Sequence, residues 1–124
     1  MGATLLVVED DDDIRELVVS VLRAEGYCVL QAVNGGVATV LLGEDIAIDL
    51  LFTDIVMPGG PDGFELADRA KQQRPELKVL YATGYAGLAR ARQDRPLHGK
   101  ILNKPYRLDE FLSEVRRLLG GPAA

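Results

Sequence analysis

The stretch "TLLVVEDDDDIRELVVSVL", residues 4–22, decides the fold. Its first five residues form a continuous apolar run, the pattern of a strand buried on both faces. Five carboxylates follow without a break, Glu9 to Asp13. Then Ile14, Leu17, Val18, Val21 and Leu22 recur at the spacing of one helix face. A buried strand therefore passes into an amphipathic helix through a knot of like charge. At ~5 Å spacing and an effective dielectric of ~20, each neighbouring pair costs on the order of 3 kcal/mol. The run divides into two devices. Asp12 and Asp13 open the helix, where acids complement the helix dipole and one can cap free N–H groups. Glu9 and Asp10 directly follow the buried strand, where open α/β sheets carry their sites. Asp11, between them, is either a cap or the rim of such a site.

The rest of the chain repeats the alternation. "YCVLQA" (27–32) predicts a strand, and Val37, Val40 and Leu41 mark a short helix after the turn Asn34–Gly36. "DLLFTD" (49–54) is a second buried strand and runs into the breaker-rich loop "MPGGPDG" (57–63). "FELADRAKQQ" (64–73) predicts a helix that Pro75 ends, and "LKVLYAT" (77–83) a further strand. The segment 84–99 is weakly patterned and predicts one or two helical turns broken before Pro96. "KILN" (100–103) is a short last strand. Leu108, Phe111, Leu112, Val115, Leu118 and Leu119 predict an amphipathic last helix. Five strand–helix rounds with short connections imply an α/β fold, a doubly wound five-stranded parallel sheet with helices on both faces. One domain is expected over 1–120, with 121–124 a tail or the start of a linker.

Composition narrows the function classes. The chain has 124 residues and a net charge of −5. Residues 1–62 carry net −10 and residues 63–124 net +5. This balance argues against direct nucleic-acid binding and leaves a basic half able to meet an acidic protein surface. No apolar run approaches the ~20 residues of a membrane span, and no signal peptide is expected at Met1. The single cysteine, Cys28, excludes an internal disulfide, fits a cytoplasmic location and is expected in the core.

The remaining polar residues fall at strand ends. The third strand ends in Asp54, the fourth in Thr83, and the fifth runs into Lys104. With Glu9 and Asp10, three carboxylates, a hydroxyl and an ammonium converge on one edge. Carboxylates so grouped call for a cation, and Mg²⁺ takes one or two of them while keeping positions for water and phosphate. Asp54 is a candidate nucleophile, because carboxylates form acyl phosphates. Lys104 offers a point charge and Thr83 a hydrogen-bond donor for a phosphoryl group. His98 lies in a loop, without the exposed helix face that a phosphotransfer histidine would use.

At "LLVVEDD", "FTDIVMPGGPDGFEL", "VLYATGYA" and "ILNKPY" the chain resembles the receiver domain of bacterial two-component response regulators. The resemblance implies strand order 2-1-3-4-5 and a phosphorylation-dependent switch. It implies Asp54 as phosphoacceptor and a sensor histidine kinase as donor, with an unknown protein as output partner. It implies Mg²⁺ held by Glu9, Asp10, Asp54 and the backbone carbonyl of Val56, and a cis peptide before Pro105. A protein of this kind assists its own modification and is not an enzyme in the ordinary sense.

Three departures stand out. The loop after Asp54 is one residue longer than usual, and the added glycine is expected to loosen it. Ile101 stands where the family usually has an aromatic residue that turns inward on phosphorylation. The segment 84–99 is irregular, as in receivers attached to hybrid sensor kinases. Val56 and Tyr85 are apolar and bulky where polar side chains usually position the hydrolytic water, so slow self-dephosphorylation is expected. One alternative is a degenerate receiver acting as an interaction or dimerisation module, which Ile101 favours and the full acidic set disfavours. The other, an aspartyl hydrolase, lacks a general acid–base at Val56.

Overall fold

The computed structural model describes residues 2–84 and 96–120. Strands β1 (Thr4–Val8), β2 (Cys28–Ala32), β3 (Leu50–Asp54), β4 (Lys78–Thr83) and β5 (Ile101–Asn103) form one sheet. All neighbours are parallel, in the order β2-β1-β3-β4-β5. The described residues hold four helices, α1 (Asp12–Ala24), α2 (Gly35–Leu42), α3 (Gly63–Gln73) and α4 (Leu108–Leu119). None of these is long and apolar enough to cross a membrane. The expected helical turns within 85–95 and the tail 121–124 lie outside the described residues.

The period of two along each strand divides the core between the two faces. Leu6, Val8, Leu51, Val79 and Tyr81 pack against Ala38 and Leu42 of α2 and Phe64, Leu66, Ala67 and Ala70 of α3. Leu5, Val7, Leu50, Phe52 and Leu80 pack against Val18, Val19 and Leu22 of α1 and Phe111 and Val115 of α4. Every residue of the central strand β3 is buried, which is why its sequence is apolar almost to the end. The order reverses between β1 and β3, since the chain leaves β1 for one edge and returns on its other side. That reversal opens the crevice in which α/β sheets place their sites.

Three expectations are corrected. The buried face of α1 is Arg15, Val18, Val19 and Leu22, and Leu17 is 52% exposed. The inner face of α2 is Gly35, Ala38 and Leu42, with Val37 and Val40 outside. A helix so apolar all round carries no periodic signal for its rotation, and small residues set the close approach to α3 and the sheet. Cys28 is exposed and not a core residue. Along the edge strand, burial declines from Ala32 through half-buried Leu30 to Cys28, so the short helix α2 covers the end of β2 and leaves its start open.

Candidate functional site

The site is assembled at the carboxyl ends of β1, β3 and β5. The Glu9 N–H donates to the Ala32 carbonyl at 3.1 Å, so the backbone ladder runs one residue past β1 and carries the Glu9 side chain into the protein. There it is only 4% exposed. Asp10, next along, is exposed. Asp11 starts the helix: its Oδ1 accepts from the Ile14 N–H at 3.0 Å, while its own N–H donates to Glu9 Oε2 at 3.1 Å. Asp12 pairs with Arg15 at 2.6 Å, and Asp13 lies in the exposed first turn. The acidic run thus divides as its sequence position implies, with Asp11 as the cap.

Asp54 ends β3 and is 7% exposed. The Lys104 Nζ donates to Glu9 Oε1 and to Asp54 Oδ2, at 2.9 Å each. Carboxylate oxygens of Glu9, Asp10 and Asp54 lie within 4.8 Å of one another. One ammonium therefore bridges two buried carboxylates, and the exposed Asp10 carboxylate joins the same cluster. Burial pushes the Asp54 carboxyl above its ordinary range, and the hydrogen bond and charge of Lys104 only partly oppose it. Glu9 is raised for the same reason, again with Lys104 in opposition. Burial alone would lower the Lys104 ammonium, but the hydrogen bonds it donates to Glu9 and Asp54 and the charges of those carboxylates outweigh it, and the net shift is upward. Burial, then the Glu9 charge, pushes the Tyr106 hydroxyl up to about 12. A hard, all-oxygen donor set with excess negative charge fits a small divalent cation such as Mg²⁺.

Other expected residues sit around this centre. Thr83 ends β4, fully buried, and its hydroxyl donates to the Gly84 carbonyl at 3.0 Å. Ala82, just before it, pairs in register with Asp54. Val56 lies two residues beyond Asp54 with its side chain exposed. The Lys104–Pro105 peptide is cis. Ile101 begins β5, half-buried against the α2–α3 side of the core. His98 Nε2 lies 2.8 Å from Asp68 Oδ1 on α3, which ties the segment before β5 to that helix. Tyr85 lies outside the described residues.

The lengthened loop lies against the N-terminus of α2. Gly59 and Gly60 both take φ of +71°, a conformation that glycine alone adopts without strain. A Cβ on Gly35 would come within 2.3 Å of the Pro61 carbonyl oxygen, so only glycine permits this approach. Sequence reading missed the buried Asp62, whose Oδ1 caps α3 by accepting from the Glu65 N–H at 2.9 Å. Its signal was present, an acid three residues before a glutamate at the head of an apolar helix. It also missed Arg15, which is buried beside Glu9.

An apolar groove adjoins the site. Ile14, Leu17, Val18, Pro105, Tyr106 and Leu108 line it, and Lys104 forms one end. The Tyr106 ring meets Phe52 edge-on at 5.9 Å, which fixes that wall on the core.

Comparison with known proteins agrees with this geometry. The family model for the response regulator receiver domain matches residues 5–116. The chain is 40% identical to the response regulator receiver protein CpdR of Brucella abortus, over 93% of this chain and 95% of that protein. It is 34% identical to the sensor kinase CckA of the same organism, over 95% of this chain but only 13% of the kinase. The crystal structure of a response regulator receiver protein from Sinorhizobium medicae superposes with a TM-score of 0.86 at 29% identity, covering 96% and 95% of the two chains. With its sheet order, its acidic crevice and these likenesses in agreement, the chain belongs to the family of response regulator receiver domains of two-component signalling.

Proposed function

We propose that the protein is a phosphorylation-dependent switch in which Asp54 accepts a phosphoryl group from a phosphohistidine of a sensor histidine kinase. The observation that carries this reading is the bridge from Lys104 to both Glu9 and Asp54 at 2.9 Å, with the Asp10 carboxylate in the same cluster. A carboxylate oxygen of Asp54 attacks phosphorus as the bond to the donor nitrogen breaks, and the imidazole keeps the electron pair and takes up a proton. Glu9, Asp10, Asp54 and the Val56 carbonyl would hold Mg²⁺, which when bound offsets charge on the phosphoryl oxygens. Lys104 favours the ionised form of Asp54 against the effect of burial before transfer, and neutralises an added phosphoryl oxygen after it. The Thr83 hydroxyl, which donates to the Gly84 carbonyl here, would donate to that group instead. The kinase approaches over the groove between α1 and the β5–α4 turn, because Lys104 belongs both to the groove wall and to the site. No separate substrate is turned over, and nucleic acid is not a direct partner.

Incubation with phosphoramidate and Mg²⁺ tests the reading by intact mass. Wild type gains one phosphoryl group, a shift of roughly 80 Da, and Asp54→Asn gains none. Absence of the shift in wild type supports a phosphorylation-independent interaction module instead, and a shift that persists in the mutant means another acceptor.

A further inference from the structure

We infer that Arg15 is a positioning residue for the acidic pair, and that its guanidinium sets the affinity of the site for Mg²⁺ by fixing the Glu9–Asp10 peptide. The inference rests on the metal reading proposed above. A charged residue on the inner face of a helix requires partners, and Arg15, with a side chain 11% exposed, has one for each nitrogen. Nη1 donates to the Glu9 carbonyl at 2.9 Å, Nη2 to Asp12 Oδ1 at 2.6 Å, and Nε to Gln31 Oε1 at 3.2 Å. The fork thus ties the end of β1 to the first turn of α1 and to β2.

The Glu9 carbonyl is the critical acceptor, since that peptide unit links Glu9 to Asp10. Its plane decides where the two carboxylates sit relative to each other. The remaining groups of Glu9 are also held. Its N–H donates to Ala32, and its carboxylate accepts from Asp11 and Lys104. With the carbonyl fixed as well, Asp10 leaves β1 in one direction. The Asp12 pair adds little by itself, because Asp12 is 77% exposed. Arg15 touches neither the acceptor nor the metal position, so it acts through Glu9 and Asp10. Partners that orient metal ligands from outside typically change metal affinity by about 10–100-fold.

Arg15→Lys, which keeps the charge without the fork, and Arg15→Met, which keeps neither, separate position from charge. Mg²⁺ titration of the full chain by tyrosine fluorescence should give a dissociation constant about tenfold weaker for both variants. Phosphorylation should return to near the wild-type rate at saturating Mg²⁺, so that the half-saturating concentration moves and the maximal rate does not. Without metal, hydrogen exchange should speed up at the Asp10 and Asp11 amides while Leu6 and Val7 stay protected. If Arg15→Met does not fold, Arg15→Lys decides. Folded variants that bind Mg²⁺ within twofold of wild type overturn this inference alone. A lysine variant with wild-type affinity overturns it too, by showing that charge suffices. A wild type that takes no Mg²⁺ overturns the metal reading together with this one.

Discussion

The two ends of the sheet solve opposite problems. At the amino ends of β3 and β4, Arg74 donates to the carbonyls of Leu42, Ile46 and Glu44, the last two at 2.6 and 2.9 Å. Lys71 donates to the carbonyls of Pro75 and Leu77 at 2.7 and 3.0 Å. Each of these cations donates to neutral backbone carbonyls. At the carboxyl ends, one ammonium bridges two buried carboxylates with a third in their cluster, and burial raises the pKa values of Glu9 and Asp54. The first cluster is complete in the folded chain. The second groups three carboxylates around a single ammonium bridge, and on the proposed reading a bound cation relieves the excess charge. On the proposed reading, stability and reactivity are divided between the two ends of the same strands.

The sharpest way to break this contrast is to remove the acceptor. Asp54→Asn should lose all phosphorylation by intact mass, whereas Arg74→Met should keep it, if it remains folded. The stability contrast comes next. Lys104→Met leaves buried carboxylates without their cation and should lose about 3 kcal/mol in urea denaturation without metal. Arg74→Met leaves only neutral carbonyls unpaired and should lose about 1–3 kcal/mol. Mg²⁺ should restore part of the first loss and none of the second.

A smaller effect has the opposite sign. Asp54→Asn removes one surplus charge and leaves the Lys104–Glu9 pair, so the metal-free variant should be more stable by about 1 kcal/mol. The pH dependence follows from the raised carboxyl. A folded state that holds its proton more tightly than the unfolded chain loses stability as pH rises through that range. The advantage of the asparagine variant should therefore shrink as pH falls and Asp54 protonates. Over the same range Mg²⁺ affinity should drop, starting above the ordinary carboxylate range. Thermal melts at several pH values, with and without Mg²⁺, check both trends. Least in energy is the lifetime of the phosphorylated form. With apolar Val56 beside the acceptor it should last hours at neutral pH, and Val56→Gln should shorten it severalfold. A wild-type half-life under a minute would refute this.

The topology was legible because strand and helix periods alternate cleanly, and because β3 is buried along its whole length. Most of the site was legible for a related reason: Glu9, Asp54, Thr83 and Lys104 stand where apolar runs stop. Helix rotation was not. Leu17 counts as apolar in any pattern yet lines an open groove, and Arg15 counts as polar yet turns inward. Arg15 is held by a backbone carbonyl and a glutamine on another strand, and neither has a sequence signature tied to it. Cys28 shows the same limit from outside. A strand's residues alternate in sequence, but how far its covering helix reaches is decided by the length of α2.

Lys104 meets Glu9 across 95 residues and Asp54 across 50. During synthesis at ~5–20 residues per second, the acceptor leaves the ribosome roughly 3–10 s before its lysine. Throughout that interval Asp54 is a carboxylate like any other. If Lys104 is needed at the switch, as proposed above, a nascent chain should not be switched on early, and a message truncated before the last strand should yield a silent product and not one stuck in the active state. On that reading the reach of one lysine ties the signal to synthesis of the last strand.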